Sequence, residues 1–196
     1  TGEYIAISDQ DDIWSLEKIR LQYEAMKDNL LVYHNSQLVS GDGSNLNRSV
    51  SDIINMYSGN NPKVFLLHNS VSGHAIMMKR AILQAAFPFP PNHPYDHWLA
   101  YIATTLGNVF YFSECLVKYR QHGLNETDIL KSKKPKRGSK KKTISTFVRQ
   151  GEWVSYCANH TKGQYAGDII KLCESYTKRL HTFVSFRYAF ELFKNR

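Results

Sequence analysis

The chain has 196 residues, of which 42% are hydrophobic and 13% aromatic. This is enough apolar material for a packed core, and it excludes disorder for most of the length. The net charge is +8, and the run KSKKPKRGSKKK at 131–142 accounts for all of it with eight cations and no acid. Because nucleic-acid-binding folds usually carry a basic face on the folded body, we predict no nucleic-acid partner.

The cysteines and the hydropathy pattern indicate a compartment. Cys115, Cys157 and Cys173 are odd in number and form no CxxC pair, which predicts neither a disulfide framework nor a zinc site. No stretch approaches the roughly 20 consecutive apolar residues that a bilayer crossing needs. We therefore expect a cytoplasmic protein, either soluble or peripheral on the inner face of the membrane.

Apolar runs alternate with amphipathic stretches over the first 125 residues, which predicts an α/β fold there. The predicted strands are 4–8, 30–34, 37–40, 74–78, 108–112 and 115–119, and the predicted helices are 15–30, 62–69, 80–87 and 95–106. Further helical patterns at 143–160 and 164–195 predict a C-terminal α-helical appendage. The intervening 126–142 segment is predicted to be a flexible basic loop.

The first helix has the clearest periodicity. Ser15 is a plausible N-cap, and the apolar residues that recur at helical spacing are Leu16, Ile19, Tyr23, Met26 and Leu30. The pattern predicts an amphipathic helix of about four turns with these side chains on its apolar face.

Three carboxylates, Asp9, Asp11 and Asp12, occupy four positions directly after the first predicted strand. Such crowding is costly unless cations offset it. Mg²⁺ and Mn²⁺ prefer oxygen ligands and are often shared with a substrate diphosphate. Asp9 and Asp11 would point the same way in an extended chain. A capped turn before the helix is the alternative interpretation, since Asp is a common turn residue.

Two more polar residues are less informative by themselves. Asp96 falls in the first turn of the predicted 95–106 helix, where an acid is usually just a favourable partner of the helix dipole. His122 lies in the polar stretch RQHG, where a histidine is more often a surface residue than a ligand. Neither residue alone predicts a function.

Taken in order, four segments resemble the motifs of glycosyltransferase family two, especially its bacterial rhamnosyltransferase-like branch. The segments are SDQDDIW at 8–14, NSVSGHAIMMKRAIL at 69–83, PFPPNHPYDHWLA at 88–100 and YRQHGLN at 119–125. The resemblance implies part of a GT-A-type, Rossmann-like mixed sheet with flanking helices. Family members begin with a nucleotide-binding half, so we expect such a segment to precede Thr1.

The resemblance also implies roles for individual residues. Asp96 matches the carboxylate that acts as general base on the acceptor hydroxyl. Asp11 matches the acid that binds the metal, and His122 matches a histidine that approaches the metal or the diphosphate. The remaining implied contacts are with the donor at Asp9, Asp12 and Gly73, and with the acceptor at His97 and Trp98.

The implied reaction transfers a sugar with inversion from a nucleotide-sugar donor to a saccharide or lipid-linked acceptor, in cell-surface polysaccharide synthesis. The implied cofactor is a divalent cation, Mn²⁺ or Mg²⁺, which stabilises the departing diphosphate as a Lewis acid. The basic run at 131–142 adds an anionic membrane surface as a further expected partner.

Two other functions are compatible with the same residues. A metal-dependent phosphohydrolase could use DQDD with His122, although the other histidines form no ligand pattern along the sequence; these are His34, His68, His74, His93 and His97. A non-catalytic module could bind anionic surfaces through its basic run, with DQDD as a structural turn.

Overall fold

The computed structural model describes residues 2–122, 129–130 and 140–181. The chain divides into two compact units. The sheet unit comprises 1–60, 69–89 and 94–132, and the helical unit comprises 61–68, 90–93 and 133–196. The sequence predicted three successive regions, 1–125, 126–142 and 143–196, whereas the helical unit also includes the two short earlier segments. The predicted basic loop and its contact with anionic surfaces fall largely on 131–139, outside the described residues, while Lys140 begins a helix.

The described residues form twelve helices and strands. In chain order they are β1 (Tyr4–Ala6), β2 (Ile13–Trp14), α1 (Lys18–Met26), β3 (Leu31–Ser40), β4 (Asn45–Ser49), α2 (Val64–Leu67), β5 (Ile76–Lys79), α3 (Arg80–Ala86), α4 (Tyr95–Leu106), β6 (Val109–Gln121), α5 (Lys140–His160) and α6 (Ala166–His181). A 3-10 turn at Gly73–Ala75, called here the His74 turn, leads into β5. The predicted 95–106 helix is confirmed as α4, and Gly107 follows its last residue.

The strands form one mixed sheet in the order β1-β5-β3-β6-β2, with β4 paired to β3. β3 and β6 run parallel, and the other pairs are antiparallel. The predicted mixed sheet with flanking helices is confirmed. Two of the expected strand breaks are absent, because 30–34 with 37–40, and 108–112 with 115–119, each lie in one continuous strand.

β3 continues through its polar centre because that centre is hydrogen-bonded. The β3–β6 register shifts on both sides of Asn35. The Asn35 amide donates to Ser51 Oγ and accepts from the backbone N–H groups of Ser36 and Ser51. Buried polar groups are tolerated when they are paired in this way. β3 is therefore a central strand with an almost continuously buried sequence.

The buried face of α1 differs from the predicted one. Leu16 is 100% exposed, and Ile19 and Tyr23 are also exposed, whereas Lys18, Gln22 and Met26 are buried. The predicted apolar stripe is thus wrong at Leu16, Ile19 and Tyr23, while Met26 is buried as predicted and Leu30 is half-buried beyond the end of the helix. Lys18, Gln22 and Met26 follow each other at intervals of four and lie on one face of the helix.

The chemistry beneath α1 explains this choice of face. Near its C-terminal end Met26 packs with Val32 and Met77 in an apolar cluster. Near its N-terminal end α1 faces the backbone carbonyls of His74 and Ala75, which need hydrogen-bond donors. The polar side chains of α1 supply those donors, so its N-terminal half buries a polar face.

The helical unit consists of α2, α5 and α6. Within the predicted 164–195 helix, α6 buries Ile169, Leu172 and Tyr176. Lys63 Nζ lies 3.0 Å from Asp168 Oδ2 in a half-buried ion pair. None of the helices in the described part of the chain has the length and apolar content that a bilayer crossing requires.

Two substitutions test the face of α1. Leu16→Ala should change the free energy of unfolding by less than about 0.5 kcal/mol, because the side chain is exposed. Met26→Ala should cost about 2–5 kcal/mol, because it empties part of a packed cluster. Urea denaturation of both variants measures the difference. A larger loss for Leu16→Ala than for Met26→Ala would contradict the observed orientation.

Candidate functional site

The acid loop, residues 7–12, connects β1 to β2 and is held by the end of β6. The Arg120 backbone N–H donates to Asp12 Oδ1 at 3.1 Å, and Arg120 Nε donates to the Asp11 carbonyl at 3.1 Å. The same guanidinium donates to the Gly41 carbonyl through Nη1. Because β2 pairs with β6, this strand end is fixed beside the three carboxylates.

Asp11 and His122 form a direct pair, with 2.7 Å between Asp11 Oδ2 and His122 Nε2. The hydrogen bond from His122 is the main reason why the pKa of Asp11 lies below its ordinary value. The structure thus brings together the two residues expected to bind the metal. A separation of 2.7 Å is a hydrogen-bond distance, shorter than the roughly 3.0–3.5 Å between two neighbouring ligands of one ion.

A second group of three side chains consists of Asp9, Asp12 and His74, whose ligand atoms lie within 4.8 Å of one another. His74 Nδ1 is 3.8 Å from Asp9 Oδ2 and 3.6 Å from Asp12 Oδ2. The Asp12 side chain is 0% exposed, and its Oδ2 has no hydrogen-bond partner. Burial raises the pKa of Asp12 to about 6 and also raises the pKa of Asp9. The group therefore has the spacing and the unmet charge of a cation site.

His74 is fixed by its surroundings. Its Nε2 lies 2.8 Å from Ser36 Oγ, and its ring packs 4.4 Å from the ring of Tyr119. The side chain is 2% exposed. Burial, followed by the charges of His34 and Lys18, lowers the pKa of His74 to about 3. The imidazole is therefore neutral at physiological pH, as a metal ligand must be.

Lys18 and Gln22 hold the backbone of the His74 turn. Lys18 Nζ donates to the His74 carbonyl at 2.7 Å and lies 3.4 Å from the centre of the Trp14 ring. Gln22 Nε2 donates to the Ala75 carbonyl at 2.8 Å. Burial lowers the pKa of Lys18 to about 8, although the nearby Asp12 and Asp9 oppose that shift. The two side chains form a buried clamp, called here the α1 clamp.

Asp96 lies against the other end of the same turn. Its carboxylate accepts hydrogen bonds from the Gly73 and His97 backbone N–H groups and from Asn69 Nδ2. Burial raises its pKa despite these donors, and the charge of Asp9 adds to the rise. The helix start was expected to favour the ionised form, but the cost of burial is larger here.

Gly73 lies in a close approach to Tyr95. A Cβ at Gly73 would overlap the Tyr95 hydroxyl oxygen, and the exposed Tyr95 ring would have to move to make room. The resemblance implied a small residue beside the donor sugar at this position. The contact with Tyr95 favours glycine there by itself and does not depend on a ligand.

The two residues expected to contact the acceptor occupy different environments. His97 is half-buried beside Asp96. Trp98 is fully buried, donates its indole N–H to the Ala86 carbonyl at 2.7 Å and stacks on Tyr101. Trp98 therefore belongs to the core around α4, and an open acceptor site cannot include its side chain in this arrangement.

The sequence did not indicate three of the residues that build the site. His74 lies far from the acids along the chain and joins them only through the pairing of β5 with β1. Lys18 and Gln22 share a helical face, but a pattern based on hydrophobicity assigns that face to solvent. Their spacing of four was the one available signal, and it identifies no partner.

Comparison with known proteins adds no family assignment. No family model matches the chain, and no curated protein matches it. The function must therefore be argued from the site itself.

The raised pKa of Asp12 predicts a pH-dependent stability in the absence of divalent cations. The folded state binds the Asp12 proton more tightly than the unfolded state does, so this contribution to stability is greatest below about pH 4 and is lost as the pH rises through about 6. Asp12→Asn removes it. In chelator-treated protein, the variant should become progressively more stable than the natural sequence between pH 4 and 7, as measured by urea midpoints.

The exposed Asp28→Asn is the matched control for the loss of one carboxylate. Its midpoints should follow those of the natural sequence over the same pH range. Parallel curves for Asp12→Asn and the natural sequence would contradict the burial of an unpaired Asp12 charge.

Proposed function

We propose that the sheet unit carries part of the active site of an inverting nucleotide-sugar glycosyltransferase, with Asp96 as the general base. One observation supports this most strongly. The Gly73 N–H bonds Asp96, while the next residue, His74, faces Asp9 and Asp12. Contact of one turn with both the Asp96 carboxylate and the Asp9–Asp12 pair supports the proposal, because single displacement requires the base and the leaving diphosphate to lie close together.

The base chemistry follows from the environment of Asp96. A sugar hydroxyl is a poor nucleophile, so a carboxylate within hydrogen-bond reach must take its proton as the new bond forms. Burial raises the pKa of Asp96, which makes the ionised carboxylate a stronger proton acceptor. The N–H groups of Gly73 and His97 orient it. As Asp96 takes the proton, the acceptor oxygen attacks the anomeric carbon from the side opposite the departing diphosphate, which inverts that carbon.

The residues of the acid loop fit a divalent cation. A bound cation would supply charge stabilisation to the departing nucleoside diphosphate. The fully buried, unpartnered Asp12 Oδ2 and the nearby His74 Nδ1 are the structural evidence for that fit. Asp11 and His122 lie on the same loop and the adjoining strand end, where they can orient the diphosphate beside the ion.

The wider proposal rests on the resemblance of the four motifs. They imply a GT-A-type arrangement, a saccharide or lipid-linked acceptor, and a role in cell-surface polysaccharide synthesis on the inner face of the membrane. All of the proposed catalytic and donor-contacting residues lie in the sheet unit.

A metal-dependent phosphohydrolase is the second candidate, and the position of His74 favours it more than the sequence did. The sequence offered no histidine pattern, yet His74 joins Asp9 and Asp12 in space. The two activities release different products. A hydrolase acting on a phosphate ester releases inorganic phosphate, whereas a glycosyltransferase releases a nucleoside diphosphate.

Asp96→Asn tests the proposed base. The substitution preserves shape and removes basicity, so turnover should fall by about 10²-fold or more while the KM for the donor changes little. The assay measures nucleoside diphosphate released from a panel of UDP-, GDP- and dTDP-sugars, with free and lipid-linked oligosaccharides as acceptors.

The exposed Asp28→Asn again serves as the control and should retain the turnover of the natural sequence. Unchanged turnover in Asp96→Asn would remove Asp96 from the reaction. Release of inorganic phosphate from a phosphomonoester such as p-nitrophenyl phosphate, with no sugar transfer from any donor, would replace the proposed function with phosphohydrolysis.

A further inference from the structure

We propose that Asp9, Asp12 and His74 bind a first-row transition cation, and that His74 Nδ1 makes the site select Mn²⁺ and its neighbours over Mg²⁺ and Ca²⁺. The inference rests on the proposed function for the use of that cation, because the cation would serve the donor diphosphate. Binding of the cation itself requires no donor. The assignment differs from the Asp11–His122 pair that the motif resemblance implies.

The distances suit ligands of one ion better than hydrogen bonds. His74 Nδ1 lies 3.6 Å from Asp12 Oδ2 and 3.8 Å from Asp9 Oδ2. Hydrogen bonds between nitrogen and oxygen fall at about 2.7–3.2 Å. Neighbouring ligands that are each about 2.1–2.2 Å from an octahedral ion such as Mn²⁺ are about 3 Å apart, and those of a tetrahedral ion are about 3.5 Å apart. The carboxylates would therefore close on the ion by about 0.5 Å, a movement that the partly exposed Asp9 can make most easily.

The second, independent observation is the carboxylate oxygen of Asp12 that has no hydrogen-bond partner. Its side chain is 0% exposed, its Oδ1 accepts from the Arg120 N–H, and its Oδ2 has no partner. A buried carboxylate oxygen without a partner is costly. Because Oδ2 points to the same place as His74 Nδ1, one cation would satisfy both atoms.

The support of His74 is that of a metal-ligating histidine. Such residues usually donate their second ring N–H to a neighbouring acceptor, which fixes the tautomer. The 2.8 Å contact of Nε2 with Ser36 Oγ provides that acceptor and leaves the Nδ1 lone pair for the ion. The α1 clamp fixes the backbone of the turn through Lys18 and Gln22. The ligand is therefore held in place before the ion arrives.

The donor set decides which ion is preferred. Mg²⁺ and Ca²⁺ are hard ions that take oxygen ligands, and Mg²⁺ gives up its waters reluctantly. Imidazole nitrogen binds first-row transition ions better, whereas carboxylates accept both classes. Asp9 and Asp12 alone would not discriminate strongly between Mn²⁺ and Mg²⁺. The nitrogen of His74 supplies the preference.

Mn²⁺ binding to the 196-residue chain tests the proposal without any donor or activity. Titration followed by the electron paramagnetic resonance of free Mn²⁺ should give one site, with Mg²⁺ displacing the ion only at concentrations about ten-fold higher or more. Pulsed measurements should show coupling to a directly bound imidazole nitrogen. His74→Gln should abolish that coupling and lower the affinity for Mn²⁺ by at least about 10-fold.

Two matched histidine variants locate the ligand. His34 is buried, with its ring centroid 6.2 Å from that of His74, and it bonds the Asn35 carbonyl, so His34→Gln should keep the nitrogen coupling. His122→Gln should also keep it. Circular dichroism measures whether each variant folds. Ser36→Ala is a milder change, which should lower the affinity for Mn²⁺ while the fold is retained.

The outcomes separate this inference from the proposed function. Coupling that disappears in His122→Gln and persists in His74→Gln would overturn the inference and move the ion to Asp11. Absence of Mn²⁺ binding, or equal affinities for Mn²⁺ and Mg²⁺, would also overturn it. Binding through His74 without sugar transfer in the donor assay would sustain the cation site and reject the glycosyltransferase.

Discussion

The α1 clamp is the contact on which the site depends. Lys18 and Gln22 donate to two successive carbonyls of the His74 turn, and both donors are buried. Hydrogen bonds of this kind contribute little net stability, but losing one leaves a buried carbonyl unpaired at a cost of about 1–3 kcal/mol. The turn is therefore confined to one conformation. The Gly73 N–H of this turn then positions the Asp96 carboxylate, and the His74 backbone positions the His74 ring.

The two ends of α1 are buried in different surroundings, one apolar and one polar. Its C-terminal end is anchored by apolar contact of Met26 with Val32 and Met77. Its N-terminal end lies in a polar interior where Lys18 is close enough to shift the pKa values of His34 and His74. The apolar contacts hold the C-terminal end of α1 against the sheet, and the hydrogen bonds of Lys18 and Gln22 fix how its N-terminal end meets the His74 turn. A rigid helix transmits the anchoring of one end to the other, so the ligands need no flexible support.

Periodicity predicted the elements of this fold better than their contacts. α4 and its Asp96 were placed correctly because Pro94 and Gly107 mark its ends and apolar residues recur between them. The face of α1 was predicted wrongly because hydrophobicity cannot register a lysine that is buried to satisfy a carbonyl. The acid loop was visible as a string of carboxylates. Its neighbour His74 was not, because strand pairing rather than sequence spacing brings it there.

The bond between the Arg120 N–H and Asp12 Oδ1 joins residues 108 positions apart. Contacts of such long sequence separation require a large loop to close, and parallel pairs such as β3 with β6 are slow to form for the same reason. The acid loop cannot take its final geometry until the last strand has docked. Until then the carboxylates stay hydrated, and the cost of burying Asp12 arises only once the sheet has formed around it.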